Sequence, residues 1–315
     1  TMAMTIYDIS KKAGVSIATV SRVLNGSENV RPSTRKKVMD VIDKYDYTPN
    51  AFARGMGLHS LKTIGILCAD SSDLFLAKAV YFLEQELQAN GYESLLCCTG
   101  YNPDIKKNYL NLILSKKVDS IILVGSHFIG FNEDENQYIK DVSTQVPIML
   151  LNASFDHPNV YSTLCDDYGT MFEAATEMIQ SGITDILYLY DSKSYSGLKK
   201  LHGFCDAMKE YNIPGFEKLI HFYDGNIEHL NEVADFVARI ATKGTSFHGI
   251  MTSDDSLAIG SIKYAQKKGI RIPEELSVMG YNNSMLTNCC TPELTSVDNR
   301  LETQTHPVSY THLTL

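Results

Sequence analysis

The sequence predicts an α/β protein in which an N-terminal helix-turn-helix head precedes two lobes, each a doubly wound parallel sheet. Residues 5–26 read as two short amphipathic helices around a tight turn. From Thr63 onwards, apolar strand-like runs alternate with amphipathic helices in two successive series. The charge changes at the same place: residues 1–60 carry a net +4, and the other residues carry −13, which together give the chain's −9.

The head has the spacing of three short helices packed together. Ile6, Ile9 and Ala13 recur at helical intervals, Gly14 can supply the positive φ that ends the first helix, and Ser16 is a good N-cap for the second. The inner stripe of the second helix is Val20, Val23 and Leu24. A third helix begins with Pro32 in its first turn and has its apolar positions at Val38, Val41 and Ile42.

The outward face of the second helix is typical of a surface that reads DNA. It carries Ile17, Ala18, Thr19, Ser21 and Arg22. In a helix-turn-helix, the first residues of the second helix meet base edges in the major groove. The basic run from Arg31 to Lys37 could be a solvated face, but its place beside the helical pair favours contact with phosphate. The sequence therefore predicts that double-stranded DNA binds the head and that the acidic body repels it.

The rest of the chain predicts two successive lobes. Strands are expected at 63–68, 94–98, 120–125, 147–152, 185–190, 218–222, 247–251 and 276–280. Helices are expected at 74–90, 104–117, 134–143, 167–180, 198–211, 228–242 and 256–268. Ligands of such sheets bind outside the carboxyl ends of the strands, so two facing lobes predict a cleft that closes on a small molecule.

Composition argues against several classes of protein. No apolar run is long enough to span a membrane and no secretory signal is visible, which predicts a cytoplasmic protein with no membrane partner. The seven cysteines show no CxxC spacing, so we expect buried thiols rather than disulfides or a metal site. Nucleotide-binding and hydrolase motifs are missing and the nine histidines are scattered. We therefore expect neither an enzyme nor a bound cofactor.

The motifs together resemble the lactose-repressor/galactose-repressor (LacI/GalR) family of bacterial transcription regulators. The resemblance rests on TIYDISKKAGVSIATVSRVLNG, VRPSTRKKV and YTPNAFARGM in the head, and on IQSGITDILYL, SDDSLAIGSI, GYNN and TPELTSV further along. The head is most similar to the catabolite control protein branch. The resemblance implies a hinge helix, a two-lobed core like a periplasmic sugar-binding protein, and a homodimer on a pseudo-palindromic operator.

Family DNA contacts can be transferred to this chain residue by residue. Ile17 and Ala18 fall at the positions that choose the operator and can offer only apolar contact, and Arg22 resembles the arginine that approaches a guanine. Met56 stands where the hinge inserts an apolar wedge into the minor groove, beside Gly55 and Gly57, which weaken a helix. The remaining predicted contacts are Thr5, Tyr7, Ser16, Thr19, Ser21, Asn25, Arg31, Asn50, Ala53 and Arg54; for Tyr7 and Asn25 a packing or helix-ending role is the alternative.

The resemblance also implies an effector site, for a sugar or sugar derivative, in the cleft. The candidates are Asp70, Asp73, Phe75, Asp166, Lys200, Asp255 and Asn282. Asp166 and Asp255 could instead cap the helices that follow them, although ligand contact is favoured for Asp255. Lys200 replaces a frequent arginine, which weakens the sugar assignment, and neither it nor Asp70 is favoured as a contact. A phosphorylated carrier protein as co-regulator is an alternative, and a sugar-binding protein without DNA function is another.

We predict the following domain boundaries. Residues 1–48 form the head, 49–62 the hinge, 63–162 the N-terminal lobe, completed by 292–304, and 163–291 the C-terminal lobe. Family members continue for about thirty residues with a helix and a strand, whereas residues 305–315 lack helical spacing. We expect this segment to be a non-native tail.

Overall fold

The computed structural model describes residues 4–24, 27, 29–45, 47 and 61–305. Near Thr63 the chain divides into two compact units, the head and the core. Most of the predicted hinge at 49–62 and of the predicted tail at 305–315 lies outside the described residues. Within the described ranges, no helix combines the length and apolar character that crossing a bilayer requires.

Three helices build the head, namely α1 (Ile6–Ala13), α2 (Ile17–Leu24) and α3 (Pro32–Lys44). Thr5 caps α1 through a capping box with Asp8, and Gly14 ends it in the left-handed region at φ 61°. The Ser16 side chain accepts a 3.2 Å hydrogen bond from the backbone N–H of Thr19, which confirms its predicted place as the N-cap of α2. The buried core consists of Ile9, Ala13, Val20, Val23, Val30, Val38, Ile42 and Tyr47.

The N-terminal lobe is a parallel sheet with helices between its strands. Its elements are β1 (Thr63–Cys68), α4 (Leu74–Ala89), β2 (Glu93–Cys98), α5 (Pro103–Ser115), β3 (Ser120–Val124), α6 (Gln137–Ser143), β4 (Ile148–Leu151) and β5 (Val160–Thr163). The strand order is β2-β1-β3-β4-β5, with Leu67 opposite Leu123 at the centre. The sequence analysis missed β5, a short edge strand that is partly polar and only half-buried.

The C-terminal lobe repeats this plan. Its elements are α7 (Asp167–Gln180), β6 (Ile186–Tyr190), α8 (Tyr195–Glu210), β7 (Ile220–Phe222), α9 (Leu230–Thr242), β8 (Gly249–Thr252), α10 (Asp255–Lys268), β9 (Ser277–Tyr281) and β10 (Thr295–Val297). The strand order is β10-β9-β8-β6-β7. Both lobes are thus doubly wound parallel sheets, as the sequence predicts.

One predicted boundary is wrong. Residues 292–304 were expected to complete the N-terminal lobe, but β10 pairs in parallel with β9, with Ser296 opposite Gly280. The strand therefore extends the C-terminal sheet, because its backbone hydrogen bonds are made there. The chain returns to the N-terminal lobe only afterwards, where Leu301 packs into that lobe's core at the start of a helical stretch over 301–305.

The seven cysteines are all free thiols, as the sequence predicts. Their burial is less uniform than expected. Cys68 is buried in the central part of its sheet, whereas Cys98, at the end of edge strand β2, and Cys289 are exposed. An edge strand has no neighbouring strand on one side, so an apolar run in the sequence does not guarantee burial there.

Close helix packing in the C-terminal lobe depends on Gly203. A Cβ built at this position of α8 would lie 2.3 Å from the carbonyl oxygen of Tyr168 on α7. The obstacle is a backbone atom, which cannot move aside as a side-chain end could. Gly203 therefore sets the distance between α7 and α8.

We expect Gly203→Ala to destabilise the core by about 1–3 kcal/mol, the usual cost of overpacking. The measurement is the urea midpoint of the full chain. The control is His202→Ala, an exposed neighbour on the same helix, which should change stability by less than about 0.5 kcal/mol. Equal midpoints for the two variants would contradict the close packing of α7 on α8.

Candidate functional site

The head presents the predicted reading face to solvent. Val20 and Val23 of α2 point into the core, so the intervening positions face outward. Ile17 is 39% exposed, Tyr7 is 67% exposed, and Ala18 and Arg22 are also exposed. Asn25, Asn50, Ala53, Arg54 and Met56 lie outside the described residues. The described part of the predicted interface is exposed, so it is accessible to double-stranded DNA.

Hydroxyl groups gather at the start of α2. Ser16 and Thr19 side-chain oxygens lie 2.9 Å apart, and the same Ser16 oxygen caps the helix. The first turn of a helix also exposes backbone N–H groups and the positive end of the macrodipole. This end of α2 carries the groups that bind phosphate, and the roles of Ser16 and Thr19 as DNA contacts stay predictions.

Arg35 supports the reading helix, a role that the sequence analysis did not assign. Its guanidinium donates to the carbonyl oxygens of Ser27 at 2.5 Å and of Val23 at 3.4 Å. Arg35 thereby ties α3 to the C-terminal end of α2. In the sequence it looks like one more member of a basic run, and only the tertiary contact distinguishes it.

In the core, carboxylates collect where strands of both lobes end. Asp73 follows β1 and caps α4, accepting a 2.8 Å hydrogen bond from Leu76 N–H. Burial raises the pKa of Asp73 to about 6, and the negative charges of Asp254 and Asp191 add to the rise. Asp191 and Asp254 follow β6 and β8 of the other lobe. We call Asp73, Asp191 and Asp254 the cleft carboxylates.

Asp254, and not the predicted Asp255, belongs to this group. Its carboxylate caps α10 through Ser256 N–H at 2.7 Å and accepts from Asn282 Nδ2 at 2.8 Å. Burial raises its pKa, and the charge of Asp191 raises it further. Asn282, a predicted contact, thus lies beside a carboxylate of the cleft.

Asp255 is turned into its own lobe. Its two oxygens accept hydrogen bonds from Ser284 N–H at 2.7 Å and Ser296 Oγ at 2.6 Å, and the residue is 1% exposed. These contacts tie β10 and the loop after β9 to the start of α10. Asp255 therefore holds the lobe together through Ser284 and Ser296, and the alternative that it caps the following helix is wrong, because Asp254 is the N-cap of α10.

Lys200 is buried beneath the cleft carboxylates. Its ammonium donates to the Ser253 carbonyl at 3.0 Å and lies 3.9 Å from the ring centroid of Tyr281. Ser253 in turn donates from Oγ to Asp191 at 2.8 Å. The positive charge of Lys200 also lowers the pKa of Asp254, against the larger effect of burial.

Asp167 is another buried carboxylate beneath the cleft, and it was not predicted from the sequence. It accepts hydrogen bonds from Ser196 Oγ at 2.5 Å and from the hydroxyl of Tyr281 at 2.7 Å. Asp166, which was predicted instead, is exposed and caps α7 through Gly169 N–H. Adjacent acidic residues at a helix start differ by about 100° in direction, and sequence alone does not show which one points inward.

The other two candidates lie in the N-terminal lobe. Asp70 accepts hydrogen bonds from the backbone N–H and the hydroxyl of Ser72, both at 2.8 Å. Phe75 packs against the apolar core of its own lobe. Neither contact points to a ligand.

Tyr101 of the N-terminal lobe lies near the cleft carboxylates and is 51% exposed. The rings of Tyr101 and His127 meet edge to face with centroids 4.8 Å apart. Burial raises the pKa of Tyr101 to about 12, and the charges of Asp73, Asp70 and Asp191 act in the same direction. Burial lowers the pKa of His127 to about 4, so this imidazole is neutral at pH 7. Within the described residues, no group of three or more His, Cys, Asp or Glu is arranged to hold a metal ion.

A helix-turn-helix head followed by two doubly wound lobes is the architecture of one class of protein, the DNA-binding transcriptional regulators. The profile of "Bacterial regulatory proteins, lacI family" matches residues 5–50, and "Periplasmic binding proteins and sugar binding domain of LacI family" matches residues 61–308. The chain belongs to the LacI family.

Individual relatives agree with this assignment. The chain is 51% identical over 300 residues to an HTH-type transcriptional regulator of Lachnoclostridium phytofermentans, covering 95% of this chain and 89% of the relative. It is 33% identical to catabolite control protein A of Priestia megaterium, covering 94% and 87%. The crystal structure of the lac repressor dimer bound to operator and the anti-inducer ONPF superimposes with a TM-score of 0.86 at 20% identity, covering 99% of this chain and 92% of that one.

The raised pKa of Asp73 predicts a pH-dependent stability. A folded-state pKa of about 6 lies above the ordinary aspartate value of 3.8, so stability falls as pH rises from about 4 to about 6. Asp73→Asn keeps a capping side chain but cannot ionise. We expect it to stabilise the core by about 1–2 kcal/mol at pH 7 and by nothing below about pH 4.

Urea midpoints between pH 4 and pH 7 test this expectation. The control is Asp104→Asn, an exposed residue in the first turn of α5. A gain from Asp73→Asn that was the same at every pH would show that the carboxylate is not the cause.

Proposed function

We propose that the protein is a sequence-specific repressor that binds a pseudo-palindromic operator as a homodimer and is controlled by a sugar or sugar derivative in the cleft. The observation that carries the proposal is the pairing of an exposed α2 face on the head with a cleft lined by carboxylates in a LacI-family chain. Because its target is chromosomal DNA, we place it in the bacterial cytoplasm. Met56 as a minor-groove wedge stays a prediction.

Exposed apolar side chains on the N-terminal lobe support the homodimer. Tyr81 on α4, Leu95 and Leu96 on edge strand β2, and Ile105 and Leu112 on α5 are between 37% and 52% exposed. They surround the free β2 edge of the sheet, with α4 and α5 on opposite faces, and we call these five residues the N-lobe apolar face. Large exposed apolar groups on neighbouring elements are typical of a protein interface. A second copy of the same surface would bury them.

The chemistry of the cleft supports a polyhydroxyl effector. Carboxylates accept hydrogen bonds from hydroxyl groups, and Asn282 offers a neighbouring amide. Lys200 already donates to a backbone carbonyl, so we propose that it positions Ser253 and Asp191 instead of gripping vicinal oxygens. In this arrangement the departure from arginine is compatible with a sugar.

A phosphorylated carrier protein is the second candidate for control of this regulator. The similarity to catabolite control protein A favours it. A carrier protein and a sugar would act at different surfaces, so they can be separated experimentally. The alternative of a sugar-binding protein without DNA function is tested by the same experiment.

Selection of bound duplexes from a random pool tests the proposed function. It should be run with the full chain alone, with neutral mono- and disaccharides, and with phosphorylated carrier protein. We expect a two-fold symmetric consensus and a sugar that changes its recovery. Recovery changed only by the carrier protein would favour the second candidate, and a chain that binds sugar but selects no consensus would overturn DNA-based regulation.

Arg22→Ala should weaken binding to the selected duplex by about 5- to 150-fold, the range for loss of one bidentate base contact, and relax the preference at one guanine per half-site. Competition binding to the selected duplex and its single-base variants measures this effect. The control is Arg31→Ala at a predicted phosphate contact, which should weaken binding to all duplexes alike and reduce the salt dependence. A uniform loss in both variants would argue against base reading by Arg22.

Leu96→Glu should shift the protein from dimer to monomer, because a charge would have to be buried against the partner. Analytical ultracentrifugation measures the dissociation constant, for which we expect at least a tenfold rise. Phe131→Glu is the control, since Phe131 is 71% exposed on the loop after β3, outside the N-lobe apolar face. A dimer unaffected by Leu96→Glu would exclude this face as the interface.

A further inference from the structure

The two lobes are joined by a direct hydrogen bond between hydroxyl groups. Ser126 Oγ donates to Ser194 Oγ at 2.8 Å, across 68 positions of sequence. Ser126 begins a short 3-10 turn, Ser126–Phe128, that follows β3 of the N-terminal lobe. Ser194 immediately precedes α8 of the C-terminal lobe. The bond therefore spans the cleft at one side.

The N-terminal end of this contact is firmly held. Gly125 N–H donates to the Leu151 carbonyl at 3.0 Å, which fixes the chain just before the turn. Lys106 donates from Nζ to the carbonyl oxygen of His127 at 2.5 Å, and Tyr138 donates to that of Phe128. Phe128 itself is buried in the lobe's core. Ser126 thus moves only with its lobe.

The C-terminal end is equally well built. Ser194 Oγ accepts from Gly197 N–H at 3.4 Å as the cap of α8, and from Ser192 Oγ at 2.9 Å. Ser194 N–H donates back to Ser192 Oγ at 3.1 Å. A Cβ at Gly197 would lie 2.2 Å from the Ser192 carbonyl oxygen, so the first turn of α8 is pressed against Ser192.

A second set of contacts ties together the two chain segments that cross between the lobes. The Cys165 N–H donates to Asn152 Oδ1 at 3.3 Å where the chain leaves the N-terminal lobe. Gln304 Nε2 donates to Cys165 Sγ at 2.7 Å and to the Asn299 carbonyl at 2.5 Å where the chain returns. Covalent crossings joined in this way form a pivot, which can bend without breaking.

We propose that the Ser126–Ser194 hydrogen bond is a latch that holds the lobes closed about this pivot. Ser126 and Ser194 each belong to a rigid part of their own lobe. Opening the cleft therefore moves the two hydroxyl groups apart and breaks the hydrogen bond. Losing one neutral hydrogen bond should raise the ratio of open to closed molecules about fivefold. Ser126 and Ser194 are then positioning residues for the cleft, and a ligand that wedges the lobes apart works against the latch.

The chain has no tryptophan, which allows a single reporter to be introduced. Tyr195→Trp puts an indole at the first residue of α8, next to Ser194. In this background, Ser126→Ala removes the interlobe bond and leaves the cap of α8 intact. Ser181→Ala is the matched control, because the Ser181 hydroxyl donates to the Met178 carbonyl of the same lobe and contacts neither Ser126 nor Ser194. Acrylamide quenching of the indole and small-angle scattering of the full chain measure opening.

We expect Ser126→Ala to increase quenching and the radius of gyration, while Ser181→Ala resembles the parent. In the Ser194→Ala background, Ser126→Ala should add nothing, which separates loss of the latch from loss of the cap. Equal quenching and equal size for Ser126→Ala and Ser181→Ala would overturn the proposal. The measurement needs neither effector nor DNA, so a failed search for a sugar would leave its outcome unaffected.

Discussion

The arrangement of the cleft depends on the contacts of the buried Lys200 ammonium group. Removing a charge from water is costly unless partners replace the water, and here a carbonyl oxygen and the face of Tyr281 do so. Through Ser253 the same group holds Asp191 in place. The cleft carboxylates repel one another. The positive charge of Lys200 offsets this repulsion, which allows the strand ends of the C-terminal lobe to lie close together.

The two buried carboxylates of the C-terminal lobe, Asp167 and Asp255, connect different elements of that lobe. Asp167 links α7, α8 and β9 through Ser196 and Tyr281. Asp255 links α10 to β10 through Ser296. Both are satisfied inside the lobe. The neighbouring Asp254 also has both oxygens hydrogen-bonded, to Ser256 N–H and Asn282 Nδ2, and it differs from them in its charge interactions with Asp191 and Asp73.

The head and the alternation of strands and helices could be predicted because they follow from local periodicity. Gly14 and Ser16 specify the turn by their own backbone and side-chain chemistry, and both are found in their predicted roles. The choice between Asp254 and Asp255 could not be made, because it depends on whether Ser284 and Ser296 are nearby. Nonlocal contacts also decide which sheet β10 joins, because a strand of three residues has no local preference for one free sheet edge over another.

The elevated pKa of Asp73 gives the cleft a capacity to exchange protons near neutrality. An occupant that replaces water around this carboxyl group would favour its neutral form, and the complex would take up hydrogen ions from the medium. The heat of association would then include the ionisation enthalpy of the buffer. Calorimetric titrations in buffers of different ionisation enthalpy would yield the number of protons gained for each molecule bound.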